Sequence, residues 1–363
     1  MTPLSKLVSR VLHFTRSGQL KDATAAIQAA LRRGPAPPPP QAPIRPDADV
    51  IDVVLREVAT PATPSADART PAAGAAANDA AASAAAPAAA FIAGVHTAQP
   101  GSRAYKLFVP SGHEGKALSL LVMLHGCTQD PDDFAAGTRM NEAAARDGFF
   151  VLYPAQAAEH NPQRCWNWFK HNHQSRDRGE PALLAGMTAE VVNRYGIDRQ
   201  RVYVAGLSAG GAMAAILGDA YPDVYAAVGV HSGLATGSAR DVASAFAAMQ
   251  GRAAPRARSG ARPPTIVFHG DQDRTVHPVN GEHVLAAGAA IAVTEEVAGH
   301  QGRAYTQRIH RDAAGRAQSE HWVVHGAGHA WSGGSTRGSH ADAQGPDASA
   351  EMLRFFRQHR LRP

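Results

Sequence analysis

The sequence predicts an α/β fold in which a mostly parallel sheet is covered by helices on both faces. Two kinds of segment alternate along the chain. Apolar runs typical of buried strands, such as 118–126 and 149–154, are followed by stretches with helical spacing, such as 182–196. Strand–helix–strand units placed one after another produce this alternation. The pattern starts near Phe91, so residues 90–363 are predicted to form the folded domain.

The predicted elements follow in chain order. Strands are expected where β-branched and aromatic residues cluster between turn signals, at 103–110, 118–126, 149–154, 201–206, 225–232, 264–270, 303–311 and 318–326. Helices are expected where apolar residues recur every three or four positions, at 131–148, 182–196, 209–217, 242–250, 282–290 and 347–360.

The chain before this domain has a different composition. Residues 1–33 place apolar side chains near helical spacing and predict one or two amphipathic helices. Residues 34–89 contain a polyproline tract and long alanine runs with few large apolar side chains. Such a segment buries too little apolar surface to offset the entropy of ordering, which predicts a disordered Ala/Pro-rich tether.

Composition and charge exclude several classes of protein. The 363 residues carry a formal net charge of +5, and no nucleic-acid-binding motif accompanies the basic runs. No stretch has the roughly 18 consecutive apolar residues that a membrane span needs. The N-terminus lacks the uninterrupted apolar core of a classical signal peptide, so the sequence leaves a cytoplasmic location open.

A single serine stands among very small residues where a predicted strand meets a predicted helix. The sequence Gly206-Leu207-Ser208-Ala209-Gly210 is a Gly-x-Ser-x-Gly motif in the strand–turn–helix setting of a nucleophile elbow. In that turn the serine backbone is strained, and a Cβ at either glycine would collide with other backbone. Ser208 is therefore the candidate nucleophile.

An elbow serine needs an acid and a histidine, which follow it in that order along the chain. Past the predicted strand at 264–270, Asp273 is the chosen acid and Asp271 the alternative. Past the last predicted strand, His329 is the chosen base because small neighbours leave its imidazole room to reach the serine. His325, at the end of that strand, is the alternative.

Ester hydrolysis through a serine also needs donors for the oxyanion. One donor is expected from the backbone N–H of Ala209, the residue after the nucleophile. The second is expected from the loop after an earlier strand, where Cys127 follows a His-Gly pair. His125 in that pair is predicted to be structural.

No cofactor or metal is predicted. His171, His173 and Asp177 occur close together in one polar stretch, but no further ligand cluster completes a zinc or calcium site. This stretch is interpreted as a polar loop.

Five segments in this order resemble the polyhydroxybutyrate depolymerase family of α/β-hydrolase esterases. They are LHGCTQDPDDFAAGTRMNEAAARDGFFVLYPAQ, RCWNWF, RVYVAGLSAGGAMAAIL, HGDQDRTV and GAGHAWSGG. The resemblance covers roughly residues 90–360 and extends to feruloyl and acetylxylan esterases. It implies an α/β-hydrolase catalytic domain with Ser208 as nucleophile, Asp273 as acid and His329 as base. It also suggests that Trp166 lines the substrate cleft and that the protein is extracellular.

The chain has two cysteines, Cys127 and Cys165. A disulfide between them would join the predicted oxyanion loop to the Trp166-Asn167-Trp168 segment, and structural disulfides belong to oxidising compartments. The alternative is two buried, reduced thiols.

The expected function is hydrolysis of poly(3-hydroxybutyrate), of related polyhydroxyalkanoates or of short hydroxyacyl esters, with no cofactor. Feruloyl or acetylxylan ester hydrolysis is the alternative. From other classes, the alternatives are a non-catalytic adaptor that binds polymer granules and a peptidase. The N-terminal helices are expected to contact the surface of a polymer granule.

Overall fold

The protein is described from a computed structural model, which covers residues 88–98, 101–253, 262–285, 292–298 and 302–361. The helices predicted at 1–33 and nearly all of the tether predicted at 34–89 lie outside the described residues.

The described strands and helices alternate for most of the chain. The strands are β1 Ala90–Ala98, β2 Gly101–Val109, β3 Ser119–Leu124, β4 Phe149–Pro154, β5 Val202–Leu207, β6 Ala227–His231, β7 Thr265–Gly270, β8 Ala292–Ala298, β9 Tyr305–Arg311, β10 Ala317–Val324, β11 Trp331–Ser332 and β12 Ala341–Asp342. The helices are α1 Pro131–Thr138, α2 Met140–Asp147, α3 Gly179–Tyr195, α4 Ala209–Ala220, α5 Val242–Met249, α6 Val279–Leu285 and α7 Ala348–Phe356.

Most of the described strands belong to one large sheet. Its order is β1-β2-β4-β3-β5-β6-β7-β10-β9-β8. The strands from β4 across to β10 pair in parallel, and the strands at both edges pair antiparallel. This mostly parallel arrangement confirms the predicted α/β-hydrolase fold.

Both faces of the sheet are buried, as its continuous apolar strands require. Along β3, Leu120, Val122 and Leu124 belong to one apolar cluster, whereas Leu121 and Met123 belong to the other. Side chains of α3 and α4 complete the first cluster, and those of α1, α2 and α7 complete the second. Within the described ranges, no helix is long and apolar enough to cross a membrane.

The structure differs from the sequence-based prediction most clearly at one helix and at two edge strands. The helix predicted at 131–148 is two helices, because Arg139 adopts a left-handed backbone with φ 55° that ends α1 and precedes α2. Strands β1 and β8 were not predicted. Both lie at sheet edges, and β1 has exposed apolar side chains at Ile92 and Val95, so it lacks the buried run that marks the central strands.

Candidate active site

Ser208 occupies the sharp turn between β5 and α4. Its backbone has φ 57° and ψ −118°, outside the regions that a serine normally occupies. A Cβ on Gly206 would lie 2.4 Å from the backbone carbon of Gly210, and one on Gly210 would lie 2.0 Å from the backbone oxygen of Leu124. Only glycine fits at either position, so the turn has the geometry of a nucleophile elbow.

The acid and base candidates follow neighbouring strands of the same sheet. Asp273 follows β7 and His329 follows β10, and these two strands pair in parallel. The Nδ1 atom of His329 lies 2.7 Å from Oδ2 of Asp273 and donates a hydrogen bond to it. The Asp273 side chain has no exposed surface, and that of His329 is 13% exposed. With its hydrogen on Nδ1, His329 has Nε2 available as a proton acceptor.

Asp273 is held as a carboxylate despite its burial. Burial opposes its ionisation, but hydrogen bonds from His269 and His329 outweigh that effect and hold the pKa of Asp273 well below its usual range. The other oxygen, Oδ1, accepts hydrogen bonds from the backbone N–H groups of Thr275 and Val276, each at 2.9 Å. These donors fix the direction of the carboxylate.

The alternative residues form a second Asp–His pair nearby in the chain. His325 Nδ1 lies 3.0 Å from Asp271 Oδ2, with side chains 40% and 34% exposed. The other oxygen of Asp271 accepts the N–H of Gly326 at 2.7 Å, and Thr306 lies 2.9 Å from the second ring nitrogen of His325. Both ring nitrogens of His325 therefore have partners in the surrounding loops, and this pair is more solvated than Asp273–His329.

His231, which the sequence-based prediction did not select, joins the turn at Ser208 to the loop after His329. Its backbone oxygen accepts the N–H of Ser208 at 2.9 Å, and its Nε2 accepts the N–H of Ser332 at 3.0 Å. Burial, followed by the nearby His269 and His329, lowers the pKa of His231 to about 3, which keeps Nε2 free to accept. In the sequence, His231 stands at the end of an apolar strand, and this pattern does not predict its role.

The loop after β3, residues 125–129, lies against the elbow. A Cβ on Gly126 would be 3.6 Å from the Cβ of Ser208. Among the described residues, neither the N–H of Cys127 nor that of Ala209 has a protein acceptor. We call residues 125–129 the β3 loop.

His125 and the disulfide fix the β3 loop to the chain after β4. His125 donates from Nδ1 to the Gly126 oxygen at 2.8 Å and accepts the Gln156 N–H on Nε2 at 3.1 Å. Burial lowers the pKa of His125 to about 4, which maintains this neutral form. Cys127 and Cys165 form a disulfide, as predicted.

The placement of Trp166 in a substrate cleft needs correction. Its side chain has no exposed surface, and its ring packs beside that of His125 with centroids 5.6 Å apart. Trp166 belongs to the apolar core and packs against His125 of the β3 loop. The half-buried Cys127–Cys165 bridge and Phe169 are more accessible than this ring.

A buried acid, Glu180, anchors the segment that carries Cys165, and the sequence-based prediction did not identify it. One carboxylate oxygen accepts from the side-chain amides of Gln156 and Asn167, and the other accepts the Asn167 N–H at 2.7 Å. Glu180 is 3% exposed. Burial opposes its ionisation, but hydrogen bonds from His173 and Asn167 lower the pKa of Glu180.

The side chains of the polar stretch around His171 and His173 have different surroundings. His173 faces Glu180 at 3.5 Å, whereas His171 and Asp177 are exposed. In the part of the chain that the structure describes, no group of three or more His, Cys, Asp or Glu side chains is arranged to hold a metal ion.

The chain is similar in sequence to known proteins. Residues 103–289 match the family model described as Esterase PHB depolymerase. Poly(3-hydroxyalkanoate) depolymerase C of Paucimonas lemoignei is 30% identical over 63% of this chain, which spans 59% of that relative's length. Feruloyl esterase B of Thermothelomyces thermophilus is 29% identical over 58% of this chain and 78% of its own.

A solved structure shares the fold. The acetyl xylan esterase from Aspergillus awamori aligns with a TM-score of 0.55 and 19% identity, over 70% of this chain and 94% of its own. The fold and the serine turn place the chain in the α/β-hydrolase class. Within that class, the chain belongs to the Esterase PHB depolymerase family.

Proposed function

We propose that this protein is a serine esterase that works through Ser208, His329 and Asp273. The observation that carries the proposal is the 2.7 Å contact between His329 and the buried carboxylate of Asp273, in a chain that also holds Ser208 in a strained turn. Ser208 follows β5 and Asp273 follows β7, and both strands pair in parallel with β6. Parallel strands all point the same way, so their C-terminal ends lie along the same end of the sheet. Asp273 and Ser208, which follow two such strands, therefore lie at that end.

The chemistry follows from these positions. Nε2 of His329 takes the proton of the Ser208 hydroxyl as its oxygen attacks the ester carbonyl. The N–H groups of Cys127 and Ala209 hold the negative oxygen of the tetrahedral intermediate. His329 then gives the proton to the departing alcohol, which leaves an acyl group on Ser208. Water, deprotonated by His329, then adds to that acyl group, and His329 returns the proton to the Ser208 oxygen as the acyl–oxygen bond breaks and the acid leaves.

We propose a polyhydroxyalkanoate, or a short 3-hydroxyacyl ester, as the substrate. The family match and the depolymerase from Paucimonas lemoignei support this class. Feruloyl esterase B is nearly as similar in sequence, so a feruloyl or acetylxylan ester is the alternative. Under this alternative the substrate is different, but the acyl-transfer steps are the same.

Labelling with a fluorophosphonate tests the nucleophile. The wild-type protein should take up one phosphonyl group, and mass analysis of its peptides should locate it on Ser208. Ser208→Ala should abolish labelling and reduce turnover of a soluble ester by about a millionfold. Ser111→Ala, at an exposed turn, is the matched control. Labelling of Ser208→Ala, or a tenth of wild-type turnover, would overturn the proposal.

A substrate panel separates the alternatives. Initial rates are measured on 3-hydroxybutyrate oligomers, polyhydroxybutyrate granules, methyl ferulate and acetylated xylan, with Ser208→Ala as the blank. The highest kcat/KM on a 3-hydroxyacyl substrate supports the proposed class. Preference for methyl ferulate or acetylated xylan would assign the alternative.

A further inference from the structure

His269, near the end of β7, is a buried polar side chain that the proposed mechanism does not use. His269 has no exposed surface, although it lies only four positions before Asp273. Most buried residues of β7 are apolar, and an imidazole in their place must find hydrogen-bond partners or lose stability. Its contacts therefore indicate why a histidine is present.

Both contacts of Nε2 are with the loop that carries the acid. Nε2 lies 2.8 Å from the backbone oxygen of Val276 and 3.4 Å from Oδ2 of Asp273. Both of these atoms are acceptors, so Nε2 carries a hydrogen; that N–H donates to the Val276 oxygen, and Oδ2 of Asp273 lies close to it. The same Oδ2 accepts the hydrogen bond from His329. His269 thus contacts the acid and is hydrogen-bonded, through the Val276 oxygen, to the loop that carries it.

The other ring nitrogen lies in a closely packed region. Nδ1 of His269 is buried and has no hydrogen-bond partner among the described residues, and the same holds for Nε2 of His321. A Cβ on Gly281 would lie 3.1 Å from the first of these nitrogens and 2.9 Å from the second. Helix α6 therefore packs against both imidazoles and prevents the ring of His269 from shifting away from Asp273.

We propose that His269 is a positioning residue that sets the direction and the basicity of the Asp273 carboxylate. The inference rests on the proposed function, because it assigns Asp273 as the acid of that mechanism. Without this N–H, the Val276 oxygen loses its hydrogen bond, and Oδ2 of Asp273 loses a polar N–H group 3.4 Å away while it keeps the bond from His329. The Asp273 carboxylate then becomes more basic, and the loop that carries Asp273 and Val276 is held less rigidly.

The consequence for His329 has a definite sign. A more basic carboxylate stabilises the protonated form of His329, so the acid limb of kcat/KM moves to higher pH. The titratable groups that interact with His269 are Asp273 after its own strand, His231 on β6 and His321 on β10. Burial lowers the pKa of His231 to about 3 and that of His321 to about 4, so neither titrates near the acid limb.

The test compares three substitutions of His269 in the full-length protein. His269→Gln keeps an N–H near the position of Nε2, whereas His269→Asn is too short and His269→Phe fills the space without a donor. For the Phe and Asn variants we expect kcat on a soluble ester to fall by about ten- to hundredfold with KM near that of wild type. The acid limb should move to higher pH in these two variants and should return toward wild type in His269→Gln.

His359→Phe is the matched control, because His359 is also a buried histidine with an unpartnered Nε2 but lies after α7. It should leave kcat and the acid limb unchanged. Thermal unfolding is measured for every variant, and if His269→Phe does not fold, the Gln and Asn pair decides the question. An acid limb at the wild-type position in His269→Asn, or equal kcat in the Gln and Asn variants, would overturn the positioning role.

The proposed function is tested separately in the same assay. If Ser208→Ala removes activity while the His269 variants behave as wild type, only the role of His269 fails. If Ser208→Ala remains active, the proposed mechanism fails before any role of His269 can apply.

Discussion

The side-chain oxygen of Gln129 lies 3.0 Å from the backbone nitrogen of Gly126 and accepts its hydrogen bond. The amide nitrogen of Gln129 donates to Asp133 at 2.8 Å and to the backbone oxygen of Ser339 at 3.2 Å. One buried side chain therefore ties the β3 loop to helix α1 and to the loop that follows β11. The Cys127 N–H, our second oxyanion donor, is in the loop that this amide holds.

We expect Gln129→Leu to lower kcat on a soluble ester by about a hundredfold, with a smaller effect on KM. The substitution leaves the buried Gly126 N–H without an acceptor and releases the β3 loop, so the oxyanion loses a well-placed donor. Steady-state kinetics on wild type and variant measure the effect. Gln358→Leu, at an exposed site after α7, controls for the change of residue type. A rise in KM alone would mean that the loop contributes to binding and not to the oxyanion.

The two Asp–His pairs after β7 and β10 can be separated by matched substitutions. Asp273→Asn should lower kcat by about 10,000-fold, because the amide disrupts the tautomer of His329 and cannot stabilise its charge. Asp271→Asn changes the same atoms in the more solvated pair and should retain most of the activity. Steady-state rates on a short 3-hydroxyacyl ester decide between them.

The histidines allow the same comparison. His329→Ala should lose nearly all turnover, whereas His325→Ala should mainly lower thermal stability, because His325 bonds to Asp271 and Thr306. Greater loss of turnover in His325→Ala and Asp271→Asn would reverse the assignment of acid and base.

The central strands were predictable because each of them is buried on both faces. Runs such as 149–154 contain only apolar residues and a final proline, and the structure places β4 at those residues. The elbow was predictable for a related reason, since Gly206 and Gly210 tolerate no Cβ and so mark the turn in the sequence itself. Local sequence carries these features without any long-range information.

The remaining features depend on contacts between distant residues. The family resemblance suggested Trp166 in a cleft, yet the ring is covered by the core. Glu180 accepts hydrogen bonds from Gln156 and Asn167, which lie in other segments. His231 accepts a hydrogen bond from the backbone N–H of Ser332, 101 positions away in the sequence. No local pattern distinguishes these residues from ordinary polar residues.

Reduction of the Cys127–Cys165 disulfide should lower both stability and turnover. The bridge spans 38 positions, and the chain-entropy model assigns a loop of this size about 4 kcal/mol of unfolding free energy. Reduction also frees the β3 loop, so kcat should fall more than KM rises. Thermal unfolding and kinetics are measured with and without reductant. The double variant Cys127→Ser/Cys165→Ser should be insensitive to reductant, and any remaining sensitivity would point to another cause.

Stability should decrease as the pH falls from about 6.5 to 4. Burial lowers the pKa of His125, His321 and His359 from 6.5 to about 4, so the unfolded chain takes up protons first. Each such histidine adds up to about 1.4 kcal/mol per pH unit to the slope of unfolding free energy. Denaturant unfolding at several pH values measures this slope. His359→Phe should reduce it and the exposed His171→Gln should not; equal slopes in both would exclude buried histidines as the cause.

Deletion of residues 1–89 should separate a soluble substrate from an insoluble one. Strand β1 begins at Ala90, so the deletion leaves the sheet, the elbow and the Asp273–His329 pair in place. We expect turnover of a short soluble ester to stay near wild type. If the amphipathic segment predicted at 1–33 contacts the polymer, and the predicted tether keeps it near the catalytic domain, hydrolysis of polyhydroxybutyrate granules should fall because local concentration is lost. Sedimentation of each form with granules, in parallel with both rate assays, measures the two effects. Equal losses on both substrates would mean that the segment stabilises the domain, and no loss on either would remove it from polymer attack.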